Sequence, residues 1–333
     1  MVGAGVAGLA CARALADAGR GVTVIERARG VGGRCATRRV EGQPIDFGVL
    51  FFHGKAAGFL AALDAVPGPV ISGWPARIEG AGRPCQPEAF APGERRLAFV
   101  AGASAFPRHL ARDLDVRAGA AVQGLAIEGG SIRLELEGGA SLAAPTVVVA
   151  LAAEQSLALL RAATGHPGPL ATACALLEAV RSQPCLTVLA GYPLAAAAPT
   201  WDICYPGDSP VLQILAQDST KRDRPAFHAM VYQAHPRWSR EHLDDPRWPD
   251  AILAEAARIL GPWAAAPTWT QSHRWRHART DRSAELRGPL HLELPGGARL
   301  GLCGELFAPG GGVEAAWSSG ERLARRILAE EDR

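Results

Sequence analysis

The first part of the chain passes from an apolar start through a turn of small residues to a helical pattern. Ala and Leu dominate the run after the turn and Gly19 ends it, so we expect a helix from Ala7 to Ala18. The next segment, Val22–Glu26, is β-branched and predicts a strand. A strand, a glycine turn, a helix and a second strand are typical of a Rossmann-type nucleotide-binding unit. Because only Met1 and Val2 precede the turn, we expect the first strand to begin further upstream.

Apolar patterns in the middle of the chain predict a short excursion and then a return to this sheet. Residues 67–92 are rich in Pro and Gly, which indicates short strands and turns away from the sheet. We expect a helix after Gly102 and a hairpin formed by Ile127, Ile132–Leu136 and Leu142. The continuous apolar run Thr146–Leu151 predicts a strand that is buried on both faces of a parallel sheet.

The second half of the chain has the pattern of an antiparallel sheet. Alternating apolar positions at Ala171–Glu178, Val211–Ala216 and His228–Ala234 predict strands, and Pro249–Leu260 predicts a helix that covers them. Most of the tryptophans fall in this part, where they could line a pocket or fill a core. We therefore expect an α/β fold, with a Rossmann-type domain and a second α+β domain built on an antiparallel sheet.

Composition narrows the class of protein. At 333 residues, of which 48% are hydrophobic, the chain is long enough for two lobes. A net charge of +2 without a dense Lys/Arg run argues against nucleic acid or an anionic membrane as a partner. The 7 cysteines have no C-x-x-C spacing, which favours reduced thiols in a cytoplasmic protein. No apolar run is long enough to cross a bilayer, so we expect a soluble protein with a small-molecule substrate.

Three glycines in the first turn have the spacing of a dinucleotide-binding loop. Gly3, Gly5 and Gly8 fit G-x-G-x-x-G, in which the glycines make the turn, admit a pyrophosphate and let the helix pack on the strand. The N–H groups at the helix start would face the phosphates. Glu26 ends the second strand about 20 residues later, where an acid accepts hydrogen bonds from a ribose hydroxyl. This unit alone leaves NAD and FAD open.

Two further segments resemble the flavin amine oxidase superfamily. Gly32-Gly33-Arg34 resembles the segment after the ribose acid, in which the arginine and the glycine backbone meet the pyrophosphate. Gly304-Glu305 resembles the strand end whose acid, usually Asp, meets the ribityl chain. The resemblance implies noncovalent FAD, with the backbone of Val122 at the adenine. It also implies that the helix starting near Gly312 stabilises negative charge on the reduced ring.

Other motifs resemble the renalase-like members of this superfamily. Thr37-Arg38-Arg39 follows the Gly-Gly-Arg segment, and Asp46-Phe47-Gly48 resembles the D-x-G segment that carries the chain under the flavin ring. After that glycine, renalases usually have a small residue, a glutamine and an aromatic pair, whereas this chain has Val49–Phe52, which could also be simple core. His273–His277 closely resembles the H-[RK]-W-R-[YH] segment of renalases. The candidate catalytic residues are His273, Arg274, Trp275 and His277.

The resemblance implies an oxidase that takes a hydride from a small reduced substrate and passes the electrons to oxygen. In renalases the substrates are isomeric dihydronicotinamides. Amine oxidases commonly place a lysine near flavin N5, and this chain has only Lys55 and Lys221, neither in a matching motif. A flavin amine oxidase or desaturase acting on a biosynthetic intermediate, and a catalytically silent FAD-binding protein, remain alternatives. No Cys/His metal spacing and no G-x-S-x-G elbow occurs, so we expect no metal.

These motifs give a full set of expected FAD contacts and domain ranges. The FAD-binding domain is expected at 1–66, 93–165 and 285–333, and the substrate domain at 67–92 and 166–284. The residues expected to bind FAD are Gly3, Gly5, Val6, Ala7, Gly8, Glu26, Arg27, Gly33, Arg34, Asp46, Phe47, Gly48, Val122, Gly304, Glu305, Gly312, Val313, Glu314 and Ala315.

Overall fold

The computed structural model describes residues 1–165, 168–281, 283 and 285–331. Its α-helices are α1 (Val6–Asp17), α2 (Ala57–Asp64), α3 (Ala105–Leu110), α4 (Ala153–Arg161), α5 (Ala171–Glu178), α6 (Pro236–Glu241), α7 (Trp248–Leu260) and α8 (Gly312–Glu331). Its strands are β1 (Thr23–Glu26), β2 (Thr37–Val40), β3 (Gln43–Asp46), β4 (Phe52–Gly54), β5 (Val70–Ser72), β6 (Ile78–Glu79), β7 (Arg95–Phe99), β8 (Asp115–Ala118), β9 (Val122–Glu128), β10 (Ser131–Leu136), β11 (Ser141–Ala144), β12 (Thr146–Val149), β13 (Ser182–Tyr192), β14 (Ile203–Cys204), β15 (Leu212–Gln217), β16 (His228–Ala234), β17 (Trp269–Thr280), β18 (Leu290–Glu293) and β19 (Arg299–Leu302).

The chain divides into two compact units. Unit 1 comprises Met1–Gly33, Phe106–Ser182 and Arg279–Arg333, and unit 2 comprises Arg34–Ala105 and Gln183–Ala278. Residues 34–66 and 93–105 therefore pack within unit 2. The units are defined by packing, whereas the expected domains are defined by which segments bind FAD. The expected domain ranges stay a prediction for that reason.

Unit 1 contains the predicted Rossmann-type sheet. Strand β1 pairs in parallel with β8, and β12 pairs in parallel with β19. Val2 forms parallel bridges to Ile25 of β1 and Val149 of β12, so the short apolar start lies between these strands. Strand β18 adds an antiparallel edge beside β19. The α/β fold predicted from the apolar pattern is confirmed, and α1, β1 and β12 lie within two residues of the expected bounds at each end.

Two other features of unit 1 position its site. Strands β9, β10 and β11 form an antiparallel sheet, which confirms the predicted hairpin. Helix α8 packs so closely on α1 at Gly320 that a Cβ on this residue would collide with the carbonyl oxygen of Ala7. The glycine thus brings the C-terminal helix against the helix that follows the glycine loop.

Unit 2 is built on a six-stranded sheet in the order β17-β13-β16-β15-β14-β6. Strand β16 pairs antiparallel with both β13 and β15, whereas β6 runs parallel to β14. The predicted strands at 211–216 and 228–234 are confirmed as β15 and β16. Helix α7 also occurs as predicted, and its buried Trp248 and Ile252 pack with Leu215 and Tyr232 of the sheet in one apolar cluster.

The prediction of a strand at Ala171–Glu178 is wrong, because this segment is helix α5 in unit 1. Its alternation of small and large residues coincides with strong helix formers, and Thr172 is its only β-branched residue. Ala173 and Leu177, one helical turn apart, are its buried residues. The helical face therefore decides the structure, and the period-2 pattern is incidental.

Candidate functional site

In the glycine loop of unit 1, two glycines are packed too closely for a side chain and one borders open space, as a dinucleotide-binding loop needs. A Cβ on Gly3, whose φ is +99°, would lie 2.7 Å from the carbonyl oxygen of Ala150, and a Cβ on Gly8 would collide with the carbonyl oxygen of Gly3. A Cβ on Gly5, by contrast, would meet nothing within 4 Å. Gly3 and Gly8 are thus required by packing, whereas Gly5 borders open space at the start of α1. Val6 and Ala7 form the buried first turn of that helix.

The carboxylate of Glu26 is held at the same loop. It accepts hydrogen bonds from the backbone N–H of Ala4 at 2.8 Å and from that of Ala28 at 2.7 Å. The side chain is half-buried, and a carboxylate can accept further hydrogen bonds beyond these two. Arg27, the residue after it, is exposed. The open space at Gly5, the helix start and this acid together fit the pyrophosphate and ribose of a dinucleotide.

The segment that follows β1 returns to the glycine loop. Gly32 forms a parallel bridge with Gly5 and donates its N–H to the carbonyl oxygen of Ala4 at 2.8 Å. Gly33 has a φ of +53°, and a Cβ there would lie 3.6 Å from the Cα of Gly5. The two glycine segments therefore form one backbone surface around the open space. Val122, by comparison, is the half-buried first residue of β9.

The C-terminal glycine segment also lies in unit 1. Gly304 donates its N–H to the hydroxyl of Ser319 on α8 at 3.1 Å. The buried carboxylate of Glu305 accepts hydrogen bonds from the N–H and the hydroxyl of Thr280, at 2.9 and 2.8 Å. Helix α8 starts at Gly312, whose φ is +73°. Gly312, Val313 and Glu314 are half-buried and Ala315 is buried, so the first turn of α8 is partly open to a ligand.

In unit 2, the predicted D-x-G segment and the predicted H-R-W-R-H segment meet at Phe47. The ring of Phe47 stacks on Trp275 with centroids 5.1 Å apart and meets the ring of His273 edge-on at 5.2 Å. The guanidinium of Arg38 lies over Phe47, 4.7 Å from the ring centroid. We call these four residues the Phe47 cluster. It joins an imidazole, a cation and two large aromatic rings.

The backbone around Phe47 is held tightly. Trp275 Nε1 donates to the carbonyl oxygen of Phe47 at 3.1 Å, and Gln233 Nε2 donates to the carbonyl oxygens of Phe47 and Gly48 at 3.2 and 2.9 Å. A Cβ on Gly48 would collide with the carbonyl oxygen of Arg34 and would lie 2.9 Å from Trp275. Glycine is therefore required at position 48 by close packing.

Strand β17 separates the candidate catalytic residues onto two faces. His273, Trp275 and His277 are half-buried, whereas Arg274 and Arg276 between them are exposed. Arg274 donates to the carbonyl oxygen of Leu243 at 3.0 Å and lies over the ring of Trp248. The alternation of a strand thus takes Arg274 away from the face that carries His273 and Trp275.

His273 is neutral at physiological pH. Burial and the nearby charge of Arg38 lower the pKa of His273 to about 4. At neutral pH its ring therefore offers one N–H donor and one nitrogen acceptor. A neutral imidazole can orient a substrate by hydrogen bonding, and it adds no positive charge beside the Arg38 guanidinium.

A buried ion network fixes Asp46, the residue that precedes Phe47. The ammonium of Lys221 donates to Asp46 at 2.9 Å, to Asp218 at 2.6 Å and to the carbonyl oxygen of Leu50 at 2.6 Å. The Lys221 side chain is 0% exposed, and its ammonium lies 4.3 Å from the centroid of the Trp74 ring. Arg222 donates to the second oxygen of Asp218 at 3.2 Å, so the two cations and two anions balance. We call Lys221, Arg222, Asp46 and Asp218 the buried ion network.

The other carboxylate oxygen of Asp46 holds the neighbouring chain. It accepts hydrogen bonds from the Thr37 hydroxyl and from the N–H of Ala103, both at 2.7 Å. Asp46 therefore ties together β2, the loop before α3 and Lys221. Its carboxylate is fully engaged inside unit 2, so Asp46 positions the D-x-G backbone through these contacts.

The predicted residues thus fall into two groups, one in each unit. Arg34, predicted to meet the pyrophosphate, lies in unit 2 and donates to the carbonyl oxygen of Ala278 at 3.1 Å. Sequence reasoning did not select Arg38, Gln233 or Lys221. The Thr37-Arg38-Arg39 motif was a signal for Arg38, whereas the partners of Lys221 are far apart in the chain. Leu50, Phe51 and Phe52 are all buried, which agrees with a place in the core.

Two features are absent from the residues that the structure describes. No group of three or more His, Cys, Asp or Glu side chains in this part of the chain could hold a metal ion. Among the helices as described, none is both long and apolar enough to span a bilayer.

Comparisons with known proteins agree with this fold. Residues 1–63 match an NAD(P)-binding Rossmann-like domain, and residues 86–328 match the family described as flavin containing amine oxidoreductase. The structure is similar to a putrescine oxidase bound to putrescine, with a TM-score of 0.73, 17% identity and 98% of each chain covered. It is also similar to the cyclohexylamine oxidase of Brevibacterium oxydans IH-35A, with a TM-score of 0.73, 17% identity, and coverage of 100% of this chain and 98% of that chain.

Proposed function

The chain belongs to the flavin-containing amine oxidoreductase family, and we propose that this FAD-dependent oxidoreductase takes a hydride from a small reduced substrate and passes the electrons to oxygen. A dihydronicotinamide isomer, as in renalases, is the substrate that we favour. The overall reaction would consume the dihydropyridine, oxygen and a proton, and would yield the pyridinium and hydrogen peroxide. FAD, when bound, supplies the two-electron acceptor.

For the cofactor, we assign the pyrophosphate to the open space at Gly5 and to the N–H groups at the start of α1. Glu26 would accept hydrogen bonds from the ribose hydroxyls, and Arg27 would lie beside the ribose. The support is that a Cβ at Gly5 meets nothing within 4 Å and that the Glu26 carboxylate is fixed by two backbone N–H groups. Gly33 would approach the same phosphates, and the backbone of Val122 would approach the adenine.

We assign the other half of the cofactor to the C-terminal segment. Gly304 and Glu305 would face the ribityl chain, and the first turn of α8 would stabilise negative charge on the reduced ring. The exposure of the first turn supports this role, because Gly312 and Val313 are only half-buried and the first N–H groups of a helix have no partner within the helix. The hydrogen bonds of Glu305 to Thr280 would keep the longer side chain in place.

The observation that carries the substrate assignment is the burial of Lys221. All three N–H donors of its ammonium are engaged by Asp46, Asp218 and the carbonyl oxygen of Leu50. Lys221 is therefore not available to hold a water molecule for proton removal from an amine. A dihydropyridine needs no strong base, since loss of a hydride makes it aromatic. His273 and Trp275 would orient its ring within the Phe47 cluster, with His277 on the same face of β17.

Oxidation of an amine is the second candidate, because the family that matches residues 86–328 is described as an amine oxidoreductase family. A desaturase acting on a biosynthetic intermediate would use the same cofactor site. A catalytically silent FAD-binding protein would keep the cofactor without turnover. The 7 cysteines form no disulfide in the described structure, and we propose a cytoplasmic location.

Anaerobic stopped-flow mixing tests the proposal. The holoenzyme is mixed with isomeric dihydronicotinamides and, separately, with primary amines such as putrescine, and the flavin band at roughly 450 nm is followed. We expect rapid bleaching by a dihydronicotinamide and none by the amines. Bleaching by amines alone would replace the proposal with amine oxidation. No bleaching by any of these donors would leave the desaturase and the silent FAD-binding protein as the remaining candidates.

A further inference from the structure

Arg38 is a cation with no anionic partner among the residues that the structure describes. Its guanidinium donates to the side-chain oxygen of Gln271 at 2.8 Å and to the carbonyl oxygen of Ser272 at 3.4 Å. Both partners are neutral, and no carboxylate among the described residues forms an ion pair with Arg38. Three of its five N–H donors remain for a ligand.

The surroundings hold this guanidinium in one orientation. Phe47 supports one of its faces, and the two hydrogen bonds to β17 fix its edge. Burial lowers the pKa of Arg38, as expected for a charge that has lost part of its hydration. The side chain still carries its charge at neutral pH, because even a lowered arginine pKa stays far above that range.

The rest of the Phe47 cluster suits a flat ring. The ring centroids of His273 and Trp275 are 4.1 Å apart, and both lie about 5 Å from that of Phe47. His273 is neutral, so it competes with Arg38 for an anion only as a hydrogen-bond donor. Phe47 itself is buried, so a planar ring would lie against the half-buried rings of His273 and Trp275, while an anionic oxygen group of the same molecule reaches the guanidinium.

We propose that Arg38 is a specificity-determining residue that binds an anionic oxygen group, a carboxylate or a phosphate, carried by a substrate that contains a planar ring. The inference rests on the proposed function, in that the ring is the one to be oxidised. It adds that neutral substrates of the same shape bind more weakly. A guanidinium pairs with either group through two parallel N–H donors, so the geometry fits both anions.

Equilibrium binding to the oxidised holoenzyme tests this without turnover. Benzoate, phenyl phosphate and neutral benzamide are titrated by calorimetry into the wild type, Arg38→Met and Arg38→Lys. The control is Arg39→Met, because Arg39 is exposed on the same strand and its guanidinium donates to the carbonyl oxygen of Ala101 at 3.5 Å. Retained FAD and an unchanged Tm are required of each variant.

We expect at least one anion to bind the wild type about tenfold more tightly than benzamide, as for a charge-assisted hydrogen bond. This preference should disappear in Arg38→Met, be reduced in Arg38→Lys and remain in Arg39→Met. It should also weaken as salt is added. Whichever anion binds more tightly identifies the group as carboxylate or phosphate.

Three results would overturn the inference: equal binding of benzamide and both anions, no binding of either anion, or an anion preference that survives Arg38→Met. These outcomes are separable from failure of the proposed function. If no donor reduces the flavin but anion binding depends on Arg38, the anion site is supported and the proposed reaction is contradicted. If a dihydronicotinamide reduces the flavin and the anions bind no more tightly than benzamide, the reaction is supported and the role of Arg38 is contradicted.

Discussion

Replacing Lys221 with methionine should destabilise the protein by about 3–5 kcal/mol, the usual cost of removing one partner from a buried ion pair. Methionine keeps the apolar volume of the side chain but removes the charge and three donors. Asp46 and Asp218, which are 1% and 0% exposed, would then share only the charge of Arg222. The backbone before Phe47 would lose the contact that fixes it.

The loss should depend on pH. Burial raises the pKa of Asp218, so protonation is easier in the folded protein than in the unfolded chain. A raised carboxyl pKa means that the folded state gains stability as pH falls, because it then binds more protons than the unfolded state. Without Lys221 this effect grows, so the variant should lose less stability at pH 5 than at pH 8.

Urea unfolding of the FAD-saturated protein, followed by tryptophan fluorescence and circular dichroism, measures the free energy of unfolding. Lys55→Met, at an exposed lysine, is the matched control and should change stability by less than about 0.5 kcal/mol. Lys221→Met combined with Asp218→Asn removes one charge of each sign and should recover part of the loss. A loss below about 1 kcal/mol in Lys221→Met, or an equal loss at both pH values, would refute the reasoning.

Further predictions concern glycines, a histidine and thiols. Gly8→Ala should destabilise unit 1 by about 1–3 kcal/mol, because its Cβ would collide with the carbonyl oxygen of Gly3. Gly5 has a φ of −72° and open space where a Cβ would lie, so Gly5→Ala should leave the apoprotein Tm unchanged. The same change should weaken FAD binding in a fluorescence titration. The pKa of His273 in the folded protein is lowered to about 4, so the wild type should lose stability as pH falls from 6.5 towards 4. His273→Phe should lose less stability over this range. Equal stability profiles of the two proteins against pH would contradict this prediction. Burial raises the pKa of Cys11 and of Cys35 to about 12, so a thiol reagent at pH 8 should not label either in the native protein, as peptide mapping would show.

The elements that sequence could predict are those with strong local patterns. Helix α1 and strand β1 follow from the glycine turn and the β-branched run, and α7 follows from its apolar period. The segment Ala171–Glu178 was mispredicted, because alternation over eight alanine- and leucine-rich residues does not distinguish a strand from a helix. Short segments of this kind take their structure from the face that they bury.

The candidate site was predictable only where its residues are adjacent in the chain. The motifs located Gly5, Glu26, Phe47 and Trp275, each beside a recognisable pattern. The buried ion network joins Asp46 to Lys221, which are 175 positions apart, and no local signal connects them. The placement of Arg274 on the other face of β17 follows from strand alternation, which becomes visible once the segment is known to be a strand.

The flavin content of the purified protein tests the central claim most directly. The account predicts a yellow protein with one FAD per chain, whose retention falls in Glu26→Ala, where the fixed carboxylate at the glycine loop is lost. Glu293→Ala, at the end of the edge strand β18, is the control and should retain FAD. A colourless protein that gains no flavin absorbance on addition of FAD, with native circular dichroism, would contradict the account.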